Sequence, residues 1–259
     1  MVNALTIAAA FLAATAATTS AAPMPTGTWP ASKGTVKFDK PFVVKAGKPF
    51  DGGMKTYERS NVQCTGDDET GSASAVFLVE PGAILKNVII GKNQAEGVHC
   101  EDGGCTIENV WWDDVCEDAL SIKGGSASSV SKVIGGGARF ANDKVIQHNG
   151  YGTVTIDGFY VQDFGKLYRA CGDCDSRIQR KVTVSNVYAV NPKTGIVTVN
   201  KNYNDEAKLS NIKIKTSKKP ADLDVCGWSQ AVTKGEPKKL GHGPSPPLCQ
   251  YSASSIQFV

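Results

Sequence analysis

Leu85-Lys86-Asn87-Val88 and Ile107-Glu108-Asn109-Val110 are two versions of one phrase: an apolar residue, a charged one, asparagine, valine. The phrase returns in looser form as Val130-Ser131-Lys132-Val133, Ile156-Asp157-Gly158-Phe159, Val184-Ser185-Asn186-Val187 and Leu209-Ser210-Asn211-Ile212. Its third position falls at residues 87, 109, 132, 158, 186 and 211, so one unit spans 22 to 28 residues. A second register lies between these anchors, at Val98, Leu120, Val145, Leu167 and Ile196. Each unit holds short β-branched strands with Gly, Asn and Asp at the turns. No helical period of useful length separates them, which disfavours βαβ crossovers. Repeats of this length without helices predict an all-β solenoid, a right-handed single-stranded parallel β-helix with one coil per unit. An antiparallel sandwich would want tight Asn-Gly hairpins, and Asn149-Gly150 is the sole such pair.

Outward from the repeats, composition narrows the class. The 259 residues are 41% hydrophobic with 27 glycines, which excludes a disordered chain, and the glycines lack the period of collagen. Against 25 acidic side chains stand 28 basic ones, a net +3 that fits nucleic-acid binding poorly. Three histidines argue against a multi-histidine metal centre. Residues 1–22 carry no charge and read as a secretory signal peptide, an apolar stretch followed by small residues. No later stretch is apolar for long enough to span a membrane, so the expected product is secreted, extracellular and monomeric. Residues 23–259 then form one domain. Gly27 to Ala75 is expected to cap the first coil, the coils to occupy about 76–215, and 216–259 to be an irregular tail stapled by a disulfide. Eight cysteines in a secreted chain imply disulfides, and the spacing leaves their connectivity open. Lys238-Lys239 in the tail reads as solvated surface, with a polyanion contact as the alternative.

The second register also aligns charge. Two residues before its anchors stand Glu96, Asp118 and Asp143, with Glu117 beside Asp118. Adjacent coils lie about 4.8 Å apart. Unpaired carboxylates at that spacing repel, so either lysines neutralise them or a cation such as Ca²⁺, a hard ion that takes several oxygens, bridges them. Lys144 and Lys166 directly precede their anchors and Arg169 lies two beyond Leu167. In a straight strand Lys166 and Arg169 face opposite sides, so bringing both into one groove requires a bend, which is expected at Gly165. Acidic coils followed by basic ones describe either a groove for a polyanion held partly through metal or a ladder of weak surface salt bridges.

The segments Ala95-Glu96-Gly97-Val98-His99-Cys100, Asp114-Val115-Cys116-Glu117-Asp118-Ala119-Leu120, Asp143-Lys144-Val145 and Asp163-Phe164-Gly165-Lys166-Leu167-Tyr168-Arg169 resemble the secreted pectate lyases of the third polysaccharide-lyase family. The resemblance runs from about Thr35 to Cys249. It implies a parallel β-helix and Ca²⁺-dependent β-elimination of polygalacturonate, an acidic polysaccharide. By the family pattern Glu117 and Asp118 match calcium ligands, and Glu96 stands where some members carry aspartate. Lys144 and Lys166 match basic residues assigned to substrate and catalysis, Lys123 is a weaker match for substrate, and Arg169 is the candidate base or, failing that, an electrostatic clamp. Two other readings share the fold. A polygalacturonase-type hydrolase would need an opposed pair of carboxylates. A non-catalytic Ca²⁺-dependent pectin-binding solenoid would bind without making unsaturated product.

Overall fold

The computed structural model describes residues 21–66 and 70–259, so all but the last two residues of the expected signal segment lie outside it. The chain winds into a parallel β-solenoid whose coils build three sheets. One sheet stacks Phe42–Val44, Ala75–Val79, Glu96–Cys100, Leu120–Ile122 and Lys144–His148, then the later parts of Tyr160–Ala170 and Arg180–Asn200, and finally Asp224–Gln230. Among the described residues every strand pairing is parallel except that of Asp224–Gln230 with Lys238–His242, which form a hairpin on the edge of this sheet. No described helix is long and apolar enough to cross a membrane.

The other two sheets meet at a sharp turn, and the asparagines of the repeat occupy it. Asn87, Asn109, Asn186 and Asn211 all adopt left-handed backbone with φ between 52° and 54°. Asparagine tolerates this conformation because its short amide can bond locally. Here the amides also bond from coil to coil: Asn109 Nδ2 donates to Asn87 Oδ1 at 2.8 Å, and Asn211 Nδ2 to Asn186 Oδ1 at 2.7 Å. The alignment expected at Lys132 is corrected. Lys132 lies within a strand opposite Thr106 and Thr155, and three residues on Gly135 takes the turn with φ 64°, between Asn109 and Gly158. A glycine can replace asparagine at such a turn because it lacks the Cβ that opposes positive φ.

Stacked Val, Ile and Leu from successive coils fill the interior as one core. Trp112 joins it, whereas Trp111 faces the opposite side of its strand and packs edge-on against Trp29. At the first coil Phe38, Phe42, Phe50, Tyr57 and Phe77 plug the open end of the core with ring centroids 4.8–5.9 Å apart. The four disulfides are Cys64–Cys116, Cys100–Cys105, Cys171–Cys174 and Cys226–Cys249. Cys171-x-x-Cys174 is thus a local staple. The region expected to be an irregular tail carries strands as well. Asp224–Gln230 stacks on the coil before it, and Cys249–Gln250 and Ile256–Phe258 extend the other two sheets, so the solenoid runs on beyond residue 215.

Candidate active site

The charged residues of the second register lie on the sheet that ends in the hairpin, and their order depends on its register. Val98 pairs with Leu120, Leu120 with Ile146, and Ile146 with Tyr168. The anchors expected at Val145, Leu167 and Ile196 are therefore each one residue early. This one-residue slip changes which residue follows Asp118. Lys144, not Asp143, occupies the next coil, followed by Lys166 and then Gly195 and Asp224. The column reads Glu96, Asp118, Lys144, Lys166, so carboxylate meets ammonium where a third stacked carboxylate was expected.

A corner in each coil places a second column beside the first. Val145 and Ile146 both enter the core while Lys144 and Gln147 line the groove; Leu167 and Tyr168 enter it between Lys166 and Arg169. The pattern of one outward, two inward, one outward repeats around Ile196-Val197 and Val225-Cys226. Strict alternation fails at the corner, and residues three apart share the groove. The bend needed for Lys166 and Arg169 is therefore a property of the coils, reinforced by a register shift between Phe164 and Lys166. Gly165 allows the close stacking there, since a Cβ would stand 2.1 Å from the Asp143 carbonyl oxygen.

The resulting cavity, about 470 Å³, is lined by Glu117, Asp143, Lys144, Gln147, Lys166 and Arg169 on the sheet and by Trp228, Ser229 and Lys239 on the hairpin. Lys144 Nζ is its electrostatic hub, 3.2 Å from Glu117 Oε1, 3.7 Å from Asp118 Oδ1 and 3.0 Å from Asp143 Oδ2. Burial opposes the ammonium, but Asp118, Glu117 and Asp143 outweigh it and hold Lys144 charged above its ordinary range. Lys166 Nζ donates to Asp143 Oδ1 at 2.8 Å. Burial alone would raise the Asp143 pKa; the two lysines bring it below the usual carboxylate value. Arg169 moves the other way, lowered by burial against the partial opposition of Asp143, Asp173 and Asp205. Lys239 reaches in from the hairpin, 2.6 Å from Asp224 Oδ2, and His242 Nδ1 lies 3.1 Å from the other oxygen.

Two expected residues stand apart. Glu96 is buried beside the acidic column, but its oxygens are engaged: Oε1 accepts from the Thr70 and Gly71 amides at 3.1 and 3.0 Å, and Oε2 lies 2.8 Å from His99 Nε2. Lys123 follows the strand Leu120–Ile122 into a loop where its backbone packs against Gly150, and it does not line the groove. Its position in sequence put it near the column, yet the strand ends one residue before it.

Among the described residues no three His, Cys, Asp or Glu side chains are grouped as a metal cage. The acidic residues nevertheless fit a hard cation in part. Glu117 is 3% exposed, and its Oε2 is buried with no hydrogen-bond donor. A buried carboxylate oxygen left without a donor is costly unless a cation meets it. Asp118 stands next to it in sequence, both within reach of Lys144.

Sequence reasoning missed the hairpin wall. Ser229 and Lys239 lie in the region where the repeat fades, and a serine carries no charge signal. Lys238-Lys239 is visible as a basic pair, but only the antiparallel pairing of Ser229 with Lys239 shows that Lys239 flanks the groove.

Comparison with known proteins bears on the family and the fold. Residues 26–234 match the family described as Pectate lyase. The chain is 52% identical over 223 residues to the probable pectate lyase D of Aspergillus fumigatus, covering 86% of this chain and 88% of that protein. It is 53% identical over 223 residues to pectate lyase E of Emericella nidulans, covering 86% and 84%. The fold matches the catalytic domain of pectate lyase PelI from Erwinia chrysanthemi with a TM-score of 0.71 and 31% identity, over 88% of this chain and 98% of that domain. PelI in complex with tetragalacturonic acid matches with a TM-score of 0.68 and 30% identity, over 87% of this chain and 69% of PelI.

Proposed function

This chain belongs to the pectate lyase family, and from that premise we propose that it is a secreted, Ca²⁺-dependent lyase that cleaves polygalacturonate by β-elimination to unsaturated oligogalacturonides. The observation that carries the reading is the column in which Asp118, Lys144 and Lys166 follow one another on adjacent coils with Arg169 beside them. Lys144 and Lys166 would pair with uronate carboxylates, each ammonium exchanging Asp143 for a substrate oxygen. They also offset the charge that develops on the C6 carboxylate when the C5 proton leaves.

Arg169 is the proposed base. Its guanidinium must first lose a proton, which burial favours and Asp143, Asp173 and Asp205 partly oppose. The neutral nitrogen takes the C5 proton, the C4–C5 double bond forms, and the C4–O bond breaks to release the shortened chain, whose oxygen takes a proton from water. Glu117, Asp118 and Glu96 are the residues proposed to hold Ca²⁺, with Glu96 joining only if Oε2 is released by His99. When bound, Ca²⁺ supplies a Lewis acid that makes the C5 proton easier to remove. The four disulfides suit an oxidising, extracellular setting and accord with a signal peptide over 1–22.

The test is purified protein on polygalacturonate with and without chelator, following the ultraviolet absorbance of the conjugated product. Absorbance should rise, stop with chelator and resume with added Ca²⁺. New reducing ends without absorbance would instead mean hydrolysis, and binding without either would mean a non-catalytic solenoid.

A further inference from the structure

We propose that Ser229 is a positioning residue for Arg169, its hydroxyl holding one end of the guanidinium so that the remaining nitrogens face the groove. The inference rests on the lyase reading above and adds to it a residue from the hairpin wall. Arg169 Nη1 donates to Ser229 Oγ at 2.9 Å. Ser229 is itself buried at 5% exposure and is fixed in the strand Asp224–Gln230, between the solenoid on one side and Lys239 on the other. The guanidinium is confined from a second direction by Gly172, where a Cβ would stand 2.1 Å from Arg169 Nη2.

The choice of partner has a chemical consequence. Arginines that are partly withdrawn from solvent are ordinarily paired with carboxylates, yet among the described residues Arg169, of intermediate exposure, forms no ion pair. An aspartate at position 229 would grip the guanidinium through two charged hydrogen bonds and fix it as a cation. A neutral hydroxyl does not hold the guanidinium as a cation. It accepts from Nη1–H in the charged form and still does so in the neutral form, because the nitrogen that gives up its proton is one of those facing the groove. Ser229 therefore keeps the side chain in one place before and after the C5 proton arrives on it. The serine takes no part in the proton count, since it accepts the same N–H throughout.

The experiment compares Ser229→Ala and Ser229→Thr with the parent protein, measuring kcat and KM for polygalacturonate across the alkaline range. Losing one such hydrogen bond at a reacting group is expected to lower kcat about tenfold. KM should stay within about twofold and the alkaline limb of the profile should move, while threonine, which keeps the hydroxyl, restores most of the rate. In an Arg169→Lys background the same Ser229→Ala change should have no further effect, because its influence passes through the guanidinium. An equal loss in both backgrounds, an unchanged kcat, or a rise in KM alone would overturn the assignment. If circular dichroism shows Ser229→Ala unfolded, Ser229→Cys carries the same comparison with a weak sulfur partner. Absence of unsaturated product from the parent protein would overturn the lyase reading itself, a result distinct from any of these.

Discussion

The turn column and the groove column are built by the same stacking of coils and use it in opposite ways. At the turn, like stands on like. An asparagine amide is both donor and acceptor, so Asn211 on Asn186, or Asn109 on Asn87, satisfies itself at 2.7–2.8 Å. In the groove, like cannot bond to like. A carboxylate only accepts and an ammonium only donates, so the column Glu96, Asp118, Lys144, Lys166 changes sign once and is balanced by pairs of opposite charge: Lys144 sits against three carboxylates, and Asp143 lies between Lys144 and Lys166. The first column has no unmet demand and serves the fold. The second is held by ion pairs centred on Lys144 and Lys166, whose ammonium groups a ligand can engage, and it keeps a buried Glu117 oxygen without a donor. Neutral self-pairing gives stability, whereas pairing of opposite charges gives a site whose partners a charged substrate can replace.

The contrast is sharpened most strongly at Arg169. Arg169→Lys keeps a charge but loses the planar fork and its reach to Ser229, so kcat should fall by roughly two or more orders of magnitude with the fold intact. Near-normal kcat with the same alkaline profile would leave Arg169 a clamp.

Next in size is removal of the hub. Lys144→Met leaves Glu117, Asp118 and Asp143 facing one another, and breaking such a partly buried pair typically costs about 3 kcal/mol. Without divalent cation the melting temperature should drop by roughly 6–12 °C. Added Ca²⁺ should raise it by more than in the parent protein, since binding to the folded state alone stabilises it. If Ca²⁺ shifts the melting curve of neither protein, the acidic column is not a cation site.

The turn column should respond with stability alone. Asn109→Ala removes its amide bonds to Asn87 and Trp111 and places a Cβ residue at φ 52°, for an expected loss of about 1–2 kcal/mol. Asn109→Gly should lose less, because glycine accepts the backbone. Denaturant midpoints measure both, and the activity per folded molecule should be unchanged. A fall in kcat would show that the two columns are mechanically linked.

The smallest effect is expected at Lys123. It lies outside the groove lining, so Lys123→Ala should change KM by less than about twofold. A KM rise approaching that of Lys166→Ala would mean that substrate extends beyond the groove onto the loop after Ile122.

Much of this was legible before the fold was seen. The asparagine phrase recurs because each coil needs a left-handed turn at the same place, and that demand survives changes in loop length. Glu117, Asp118, Lys144, Lys166 and Arg169 could be picked out because charge adjacent to an apolar anchor has no place in a core. Three matters were not legible. The slip from Val145 to Ile146 arises because the loops on either side of the strands Val130–Ile134 and Gly137–Arg139, between Ile122 and Lys144, offer no repeat to count against. The corner hides parity, since Leu167 and Tyr168 both turn inward and alternation cannot tell which of them stacks on Leu120. Ser229 lies 60 residues from Arg169, too far for any local pattern to join them.

The sequence by itself therefore determined the repeat, the all-β solenoid and the residue types of the groove, because period and composition are local properties that every coil restates. Only the tertiary structure decided that Lys144 rather than Asp143 follows Asp118, that Glu96 is spent on His99 and the Thr70 and Gly71 amides, and that the hairpin closes the groove around Arg169. Those outcomes depend on hydrogen-bond register between strands, and register is set by the summed fit of whole coils against one another rather than by any residue's own preference.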